Sequence, residues 1–354
     1  MKRLMTGNEA IAEAAIRAGC RYFFAYPITP QNEIPEYMAL HLPEHGGVFL
    51  QAESEIAAIN MVYGAAGAGA RVMTSSSSPG ISLKMEGISY IAAAELPCVI
   101  VNVMRGGPGL GGIQPSQSDY FQAVKGGGHG DYRLLVLAPA SVQEAAGLTA
   151  EAFVLADYYR NPVLILADGI IGQMMEPVTF EDIKPGENIA KPWATTGARG
   201  REPNIINSLY LDPEELEEHN RKLFRKYEEM KESEQRAELY RMEDAELVLV
   251  AYGTTARIAM TAVDMAREKG LKAGLVRPIS LFPFPERIIR STIRQSSAYL
   301  AVEMSMGQMV EDLRLAVNCE RPVYFYGRTG GVVPTAEEIL ERIEILAGGY
   351  EGCA

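Results

Sequence analysis

Tyr26-Pro27-Ile28-Thr29-Pro30 stands at the junction that decides how the chain is read. The residues before it, Arg21 to Ala25, form an apolar strand, and Gln31-Asn32-Glu33-Ile34 after it reads as the start of a helix. A strand that runs through a short turn into a helix is the unit of a parallel α/β sheet, and in such sheets ligands bind outside the carboxyl ends of the strands. Two prolines fix φ on either side of Thr29 and hold its hydroxyl in one place. The same residues also suit an ordinary strand-to-helix turn with proline early in the helix.

Working outward, short apolar runs recur at Tyr22–Ala25, Val48–Gln51, Val72–Ser75, Val99–Met104, Leu134–Leu137 and Val163–Ala167. Helical stretches separate them, among them Glu9–Ala18, Ile34–Leu40, Glu55–Gly67 and Ser141–Tyr158. Strands apolar on both faces fit a parallel sheet covered on both sides, so residues 1–182 read as a doubly wound α/β domain. From 183 to 244 the character changes to a linker. Lys184-Pro185-Gly186 and Lys191-Pro192-Trp193 are loop signals, and Asp212-Pro213 opens a highly charged helix. Leu216, Leu223, Tyr227 and Met230 form that helix's apolar stripe, which reads as a surface connection, with a subunit contact as the other reading. Residues 245–354 form a second, smaller α/β unit with strands at Leu247–Ala251, Gly274–Val276, Tyr299–Val302 and Val323–Phe325.

Composition bounds the function. The chain has 354 residues and ordinary globular content, 47% hydrophobic and 22% charged. A net charge of −12 argues against nucleic-acid binding. There is no basic leader followed by an apolar core, and no apolar run of the roughly 18 residues that span a bilayer, which predicts a cytoplasmic protein without a membrane partner. Cys20, Cys98, Cys319 and Cys353 form no C-x-x-C pair, so neither a zinc nor an iron–sulfur site is read here. Cys98 reads as a small buried hydrophobe and Cys353 as exposed. His41 and His45 are four apart, but Pro43 interrupts any helix that would align them on a metal.

Further segments follow in order. Gln51-Ala52-Glu53-Ser54-Glu55 ends the second strand and enters the small-residue helix Ile56–Gly67. Next come Arg71-Val72-Met73-Thr74-Ser75-Ser76-Ser77-Ser78-Pro79-Gly80 and Leu96 through Arg105-Gly106-Gly107-Pro108-Gly109. In this order and spacing the chain resembles the α subunit of the thiamine-diphosphate-dependent 2-oxoacid:ferredoxin oxidoreductases. It looks most like the branched-chain (2-oxoisovalerate) type, with the 2-oxoglutarate type as near relative. The resemblance covers nearly the whole chain and is densest from Thr6 to Glu176. It implies a pyrimidine-binding domain followed by a transketolase C-terminal-like domain that carries no chemistry of its own.

The resemblance also implies roles. Thiamine diphosphate supplies the hard chemistry, and the protein supplies a carboxylate hydrogen-bonded to its pyrimidine ring. Glu55 aligns with that catalytic glutamate. Glu53 is its local rival, because alternate residues of extended chain share a face. From the residues alone, either could be an acid in a first helical turn. Arg105 corresponds to the arginine that grips the substrate carboxylate, a task suited to a planar guanidinium. Thr29 corresponds to a threonine that hydrogen-bonds the same substrate, with Tyr26 beside it. The loop Gly107–Gln117 differs between substrate types, and Gly109-Leu110-Gly111-Gly112-Ile113-Gln114 leans toward the branched-chain type. Ser75–Ser78 either lines the pocket or is a polar, helix-capping loop. Gly64–Gly69 lies at a helix end, the wrong context for a dinucleotide fingerprint.

What is missing completes the reading. No Gly-Asp-Gly occurs, the motif through which such enzymes hold the cofactor's diphosphate and its metal, and Gly130-Asp131-Tyr132 lacks the second glycine. The chain is thus expected to be the pyrimidine-side half only, inactive alone and without a metal site of its own. Mg2+, the iron–sulfur clusters and the diphosphate half are expected on a β subunit, a γ subunit and a ferredoxin-like subunit. Ferredoxin, coenzyme A and a 2-oxoacid are the other expected partners. Two competing readings are a non-catalytic assembly subunit, which the joint presence of Thr29, Glu55 and Arg105 argues against, and a nicotinamide enzyme.

Overall fold

In a computed structural model of the chain, residues 2–184, 186 and 189–348 are described; Pro185 and Cys353, named above, lie outside them. The first half supplies strands β1 (Arg3–Thr6), β2 (Tyr22–Ala25), β3 (Val48–Gln51), β4 (Val72–Ser76), β5 (Cys98–Met104), β6 (Leu135–Leu137), β7 (Pro162–Asp168) and β8 (Met175–Val178). Its helices are α1 (Gly7–Arg17), α2 (Glu33–His41), α3 (Glu55–Gly67), α4 (Ser78–Ala93), α5 (Tyr120–Val124), α6 (Val142–Tyr159) and α7 (Gly169–Gln173). After α8 (Pro213–Ser233), the second half supplies β9 (Ala237–Tyr240), β10 (Leu247–Val250), β11 (Ala273–Pro278), β12 (Ser280–Phe282), β13 (Ala298–Glu303) and β14 (Val323–Gly327). Helices α9 (Gly253–Glu268), α10 (Glu286–Thr292), α11 (Met309–Val317) and α12 (Ala336–Ala347) alternate with them.

The main sheet has the order β12-β6-β7-β5-β4-β2-β3 and is parallel except where β12 meets β6. Every residue of β5 and β7 is buried, which explains their unbroken apolar runs. From β2 the chain moves outward to β3, then returns to β4 on the other side of β2. Helix α2 accordingly packs on one face with α1 and α6, while α3 and α4 pack on the other. Loops leaving β2 and β4 therefore diverge, and a crevice opens outside their carboxyl ends.

The second sheet has the order β14-β13-β10-β11-β9. The segment read as a linker is more than a connection. It gives β9 to this sheet, antiparallel to β11. Leu223, Tyr227 and Met230 of α8 are buried against the first sheet's helices, while Leu216 stays exposed. The charged outer face explains the surface reading, and the buried stripe anchors the helix. Strand β12 crosses from the second half to edge the main sheet. Buried polar pins reinforce that seam. Gln117 Nε2 donates to the Tyr252 carbonyl at 2.8 Å, and Asp168 accepts from Thr254 N at 2.9 Å and from its hydroxyl at 2.6 Å. No helix among the described residues is long and apolar enough to cross a membrane.

Candidate active site

The carboxyl ends of β2, β3, β4 and β5 deliver four segments to the crevice: Tyr26–Pro30, Glu53–Glu55, Ser76–Ser78 and Arg105. Ser54 separates the two glutamates. Its backbone is extended and its Oγ accepts from Ala57 N at 3.2 Å, so it caps α3 and makes Glu55 the first helical residue. The chain turns there, and the two acids part. Glu53 is exposed and accepts from Ser54 Oγ at 3.1 Å, whereas Glu55 is buried, only 7% exposed. The Glu55 carboxylate accepts no hydrogen bond among the described residues. It lies against the first turn of α4, where a Cβ at position 80 would collide with Ser76 Oγ and sit 2.7 Å from Glu55 Oε1. Glycine at 80 therefore makes room for the carboxylate.

Arg105 is 8% exposed and held at both ends. Its backbone N donates to Ser78 Oγ at 3.0 Å, and Ser78 Oγ donates to Asp119 Oδ2 at 2.6 Å. Asn102 Nδ2 also donates to Asp119, at 2.9 Å. Burial pushes the Asp119 carboxyl up, and those two donors oppose the shift. The guanidinium reaches across the crevice: Nη1 donates to the Thr29 carbonyl at 3.0 Å and Nη2 to the Leu110 carbonyl at 3.3 Å. Among the described residues Arg105 Nε is buried without a partner, as are Ser76 Oγ and Ser77 Oγ. Thr29 is exposed at the mouth, joined to Pro30 by a cis peptide, and Tyr26 is 37% exposed beside it. The structure thus brings Thr29 and Arg105 into contact and buries Glu55 under the same strand ends.

Several residues here carried no functional reading in the sequence. Gly80 and Lys84 lie on α4, which begins in the four-serine run. The run divides its work: Ser76 ends β4, Ser77 precedes α4, and Ser78 ties down Arg105. A cavity of about 640 Å³ opens beside Arg105, lined by Ser78, Pro108 and Asp119 and closed by Met306, Gln308 and Thr329 from the second half. The second half thus borders this cavity. His41 and His45 do not converge: His41 Nδ1 lies 3.2 Å from Glu44, and His45 Nδ1 lies 3.1 Å from the His41 carbonyl. Among the described residues no group of three or more His, Cys, Asp or Glu is placed to hold a metal.

These features fit one end of thiamine diphosphate. A buried carboxylate with unused acceptors suits a pyrimidine ring, and the unpartnered Ser76 and Ser77 hydroxyls and Arg105 Nε suit polar atoms arriving from outside.

Comparison with known proteins agrees. Residues 13–241 match the family model for pyruvate flavodoxin/ferredoxin oxidoreductase, thiamine-diphosphate-binding, and residues 245–339 match pyruvate:ferredoxin oxidoreductase core domain II. The ketoisovalerate oxidoreductase subunit VorB of Methanothermobacter marburgensis is 53% identical over 346 residues, covering 98% of each chain. The 2-oxoglutarate synthase subunit KorA of Archaeoglobus fulgidus is 41% identical over 350 residues, covering 96% of this chain and 98% of its own. Among solved structures, the 2-oxoglutarate:ferredoxin oxidoreductase from Magnetococcus marinus superimposes with a TM-score of 0.85 at 30% identity. It covers 98% of this chain, which spans 65% of that longer polypeptide. A split-gene transketolase at 13% identity and TM-score 0.59 shares the fold alone.

Proposed function

Because this chain belongs to the pyruvate flavodoxin/ferredoxin oxidoreductase family, we propose that it is the α-type subunit of a heteromeric 2-oxoacid:ferredoxin oxidoreductase acting on branched-chain 2-oxoacids, 2-oxoisovalerate foremost. The reaction joins the 2-oxoacid with coenzyme A, releases CO2 and the acyl-CoA, and passes two electrons to ferredoxin. The observation that carries this reading is Glu55, a buried carboxylate without a hydrogen bond among the described residues, in the crevice that Arg105 and Thr29 also enter. The preference for a branched substrate is supported by the higher identity to ketoisovalerate oxidoreductase subunits than to 2-oxoglutarate synthase subunits. The exposed apolar side chains of Leu110 and Ile113, on the loop beside Arg105, also support it.

Bound thiamine diphosphate supplies the electron sink for decarboxylation. Glu55 holds its pyrimidine ring through the free carboxylate. Arg105 orients the substrate carboxylate, with its guanidinium preset by the Thr29 and Leu110 carbonyls and its Nε without a partner among the described residues. Thr29 offers its hydroxyl at the mouth, and Tyr26 flanks it. Partner subunits bring the diphosphate site with Mg2+, the iron–sulfur clusters and the approach of coenzyme A, so the chain is inactive alone.

The test is reconstitution with the partner subunits and assay against a panel of 2-oxoacids, with ferredoxin as acceptor. We expect kcat/KM to be highest for branched-chain acids, and Glu55→Gln to fold yet lose hydrogen–deuterium exchange at the cofactor's reactive carbon together with turnover. Exchange at the unmutated rate would remove Glu55 from the mechanism, and a preference for 2-oxoglutarate would overturn the substrate.

A further inference from the structure

Lys84 is fully buried on α4, one turn beyond Gly80, and the chemistry proposed above does not use it. Helix α4 turns Gly80 and Gly87 toward α3. A Cβ at 80 would sit 2.7 Å from Glu55 Oε1, and one at 87 would sit 2.8 Å from Ile59 Cγ1. Two glycines draw the helices close, and the lysine lies between them in sequence. An amine taken out of water there is costly, and an apolar side chain of similar volume generally gives a contact as stable or more so. Stability alone therefore does not account for lysine at this place.

Its partners indicate a different role. Lys84 Nζ donates to Thr74 Oγ1 at 2.6 Å and to the Ser75 carbonyl at 3.0 Å. Thr74 Oγ1 donates onward to the Phe24 carbonyl at 2.6 Å. Ser75 Oγ donates to Gln31 Oε1, and Gln31 Nε2 donates to the Tyr26 carbonyl at 3.4 Å. Lys84 thus stands at the root of the bonds that hold the end of β2 and the turn carrying Thr29. The titratable groups that act on it are Glu55 of α3 and Cys98 of β5. A neutral amine has two hydrogens for its two acceptors, and the third hydrogen of an ammonium finds no further hydrogen-bond acceptor among the described residues.

We infer that Lys84 is a positioning residue of this site, fixing the Tyr26–Gln31 turn through Thr74 and Ser75 and setting the charge that faces Glu55. Burial pushes its pKa down to about 7, while the Glu55 carboxylate, and to a smaller extent Cys98, pull it back up. One proton near neutral pH therefore changes both the charge beside Glu55 and the number of hydrogens offered to the strand ends. The inference rests on the role proposed for Glu55, and its test is separable from it.

The experiment is an NMR titration of the full chain labelled with 15N at the lysine Nζ atoms. The Lys84 signal is identified by its loss in Lys84→Met or, where that variant does not fold, in Lys84→Arg. We expect a midpoint near 7 that falls by about one pH unit in Glu55→Gln, the loss of a facing carboxylate. Lys226, pushed down to about 8 chiefly by burial and pulled back by Glu95, should not move in Glu55→Gln and serves as the internal control. In the reconstituted complex, Lys84→Met should abolish the inflection near neutral pH in kcat/KM and stay below the unmutated enzyme at higher pH, because methionine offers no hydrogen to Thr74 and Ser75. An ordinary lysine midpoint, no response to Glu55→Gln, or an unchanged pH profile in Lys84→Met each overturns the inference. Full turnover by Glu55→Gln would instead refute the proposed function, while the titration still reports whether Lys84 and Glu55 are coupled.

Discussion

Arg105 shows most directly how a single side chain is prepared for its task. Three contacts fix its backbone and guanidinium, to Ser78, Thr29 and Leu110, and its Nε has no partner among the described residues. Arg105→Lys keeps the charge and loses the planar fork. We expect it to lower kcat/KM for every 2-oxoacid by the equivalent of about 2–5 kcal/mol, the scale for breaking a buried charged pair, with cofactor affinity little changed. Steady-state kinetics and cofactor titration of the reconstituted complex check this, and unchanged efficiency across the panel would remove Arg105 from substrate binding. The position of Arg105 was readable in the sequence, because it directly follows an apolar strand. The choice between Glu53 and Glu55 was less readable from the residues, because extended chain puts both on one face. Only the cap made by Ser54 separates them. Lys84 was hidden for a different reason: a lone lysine in an apolar helix usually reaches the surface, and burial is visible only once α4 is seen to seat it against β4.

Among the elements, α4 matters most. Its sequence begins with serines, a proline and a glycine, which suited either a pocket lining or a polar, helix-capping loop, and the helix that follows packs against Glu55 and holds Arg105 through Ser78. Gly80 lets it approach Glu55, and Gly87 lets it approach Ile59. Gly80→Ala adds one methyl group where Ser76 Oγ and Glu55 Oε1 already stand. We expect a loss of about 1–3 kcal/mol in urea unfolding of the chain, the usual range for overpacking. An unchanged midpoint would mean that α4 moves away freely and that the close approach is not required. Helix α8 teaches the converse lesson. Its Asp212 cap and apolar stripe were plain in the sequence, but which way the stripe faced was not, and Leu223, Tyr227 and Met230 turn out to seat it on the first sheet's helices.

At the scale of the whole molecule, the alternation of apolar strands and helices was enough to read two α/β units, because strands buried on both faces leave an unbroken hydrophobic signature. The seam between the units was not readable. Strand β12 is three residues long, too short for a periodic signal, and Gln117 and Asp168 make their cross-seam bonds far along the chain. The same seam brings Gln308 and Thr329 to the cavity beside Arg105. In the proposed function this molecule forms only the pyrimidine side of a shared cofactor site. In that reading Glu55 serves the ring, while the sequence contains no Gly-Asp-Gly, and most of the cofactor's charge lies in its diphosphate and metal. Isothermal calorimetry with thiamine diphosphate and magnesium, on the chain alone and again with the diphosphate-binding partner subunit, tests this most directly. We expect negligible heat from the chain alone and tight, magnesium-dependent binding once the partner is present. Micromolar or tighter, magnesium-dependent binding by the chain alone would contradict that reading.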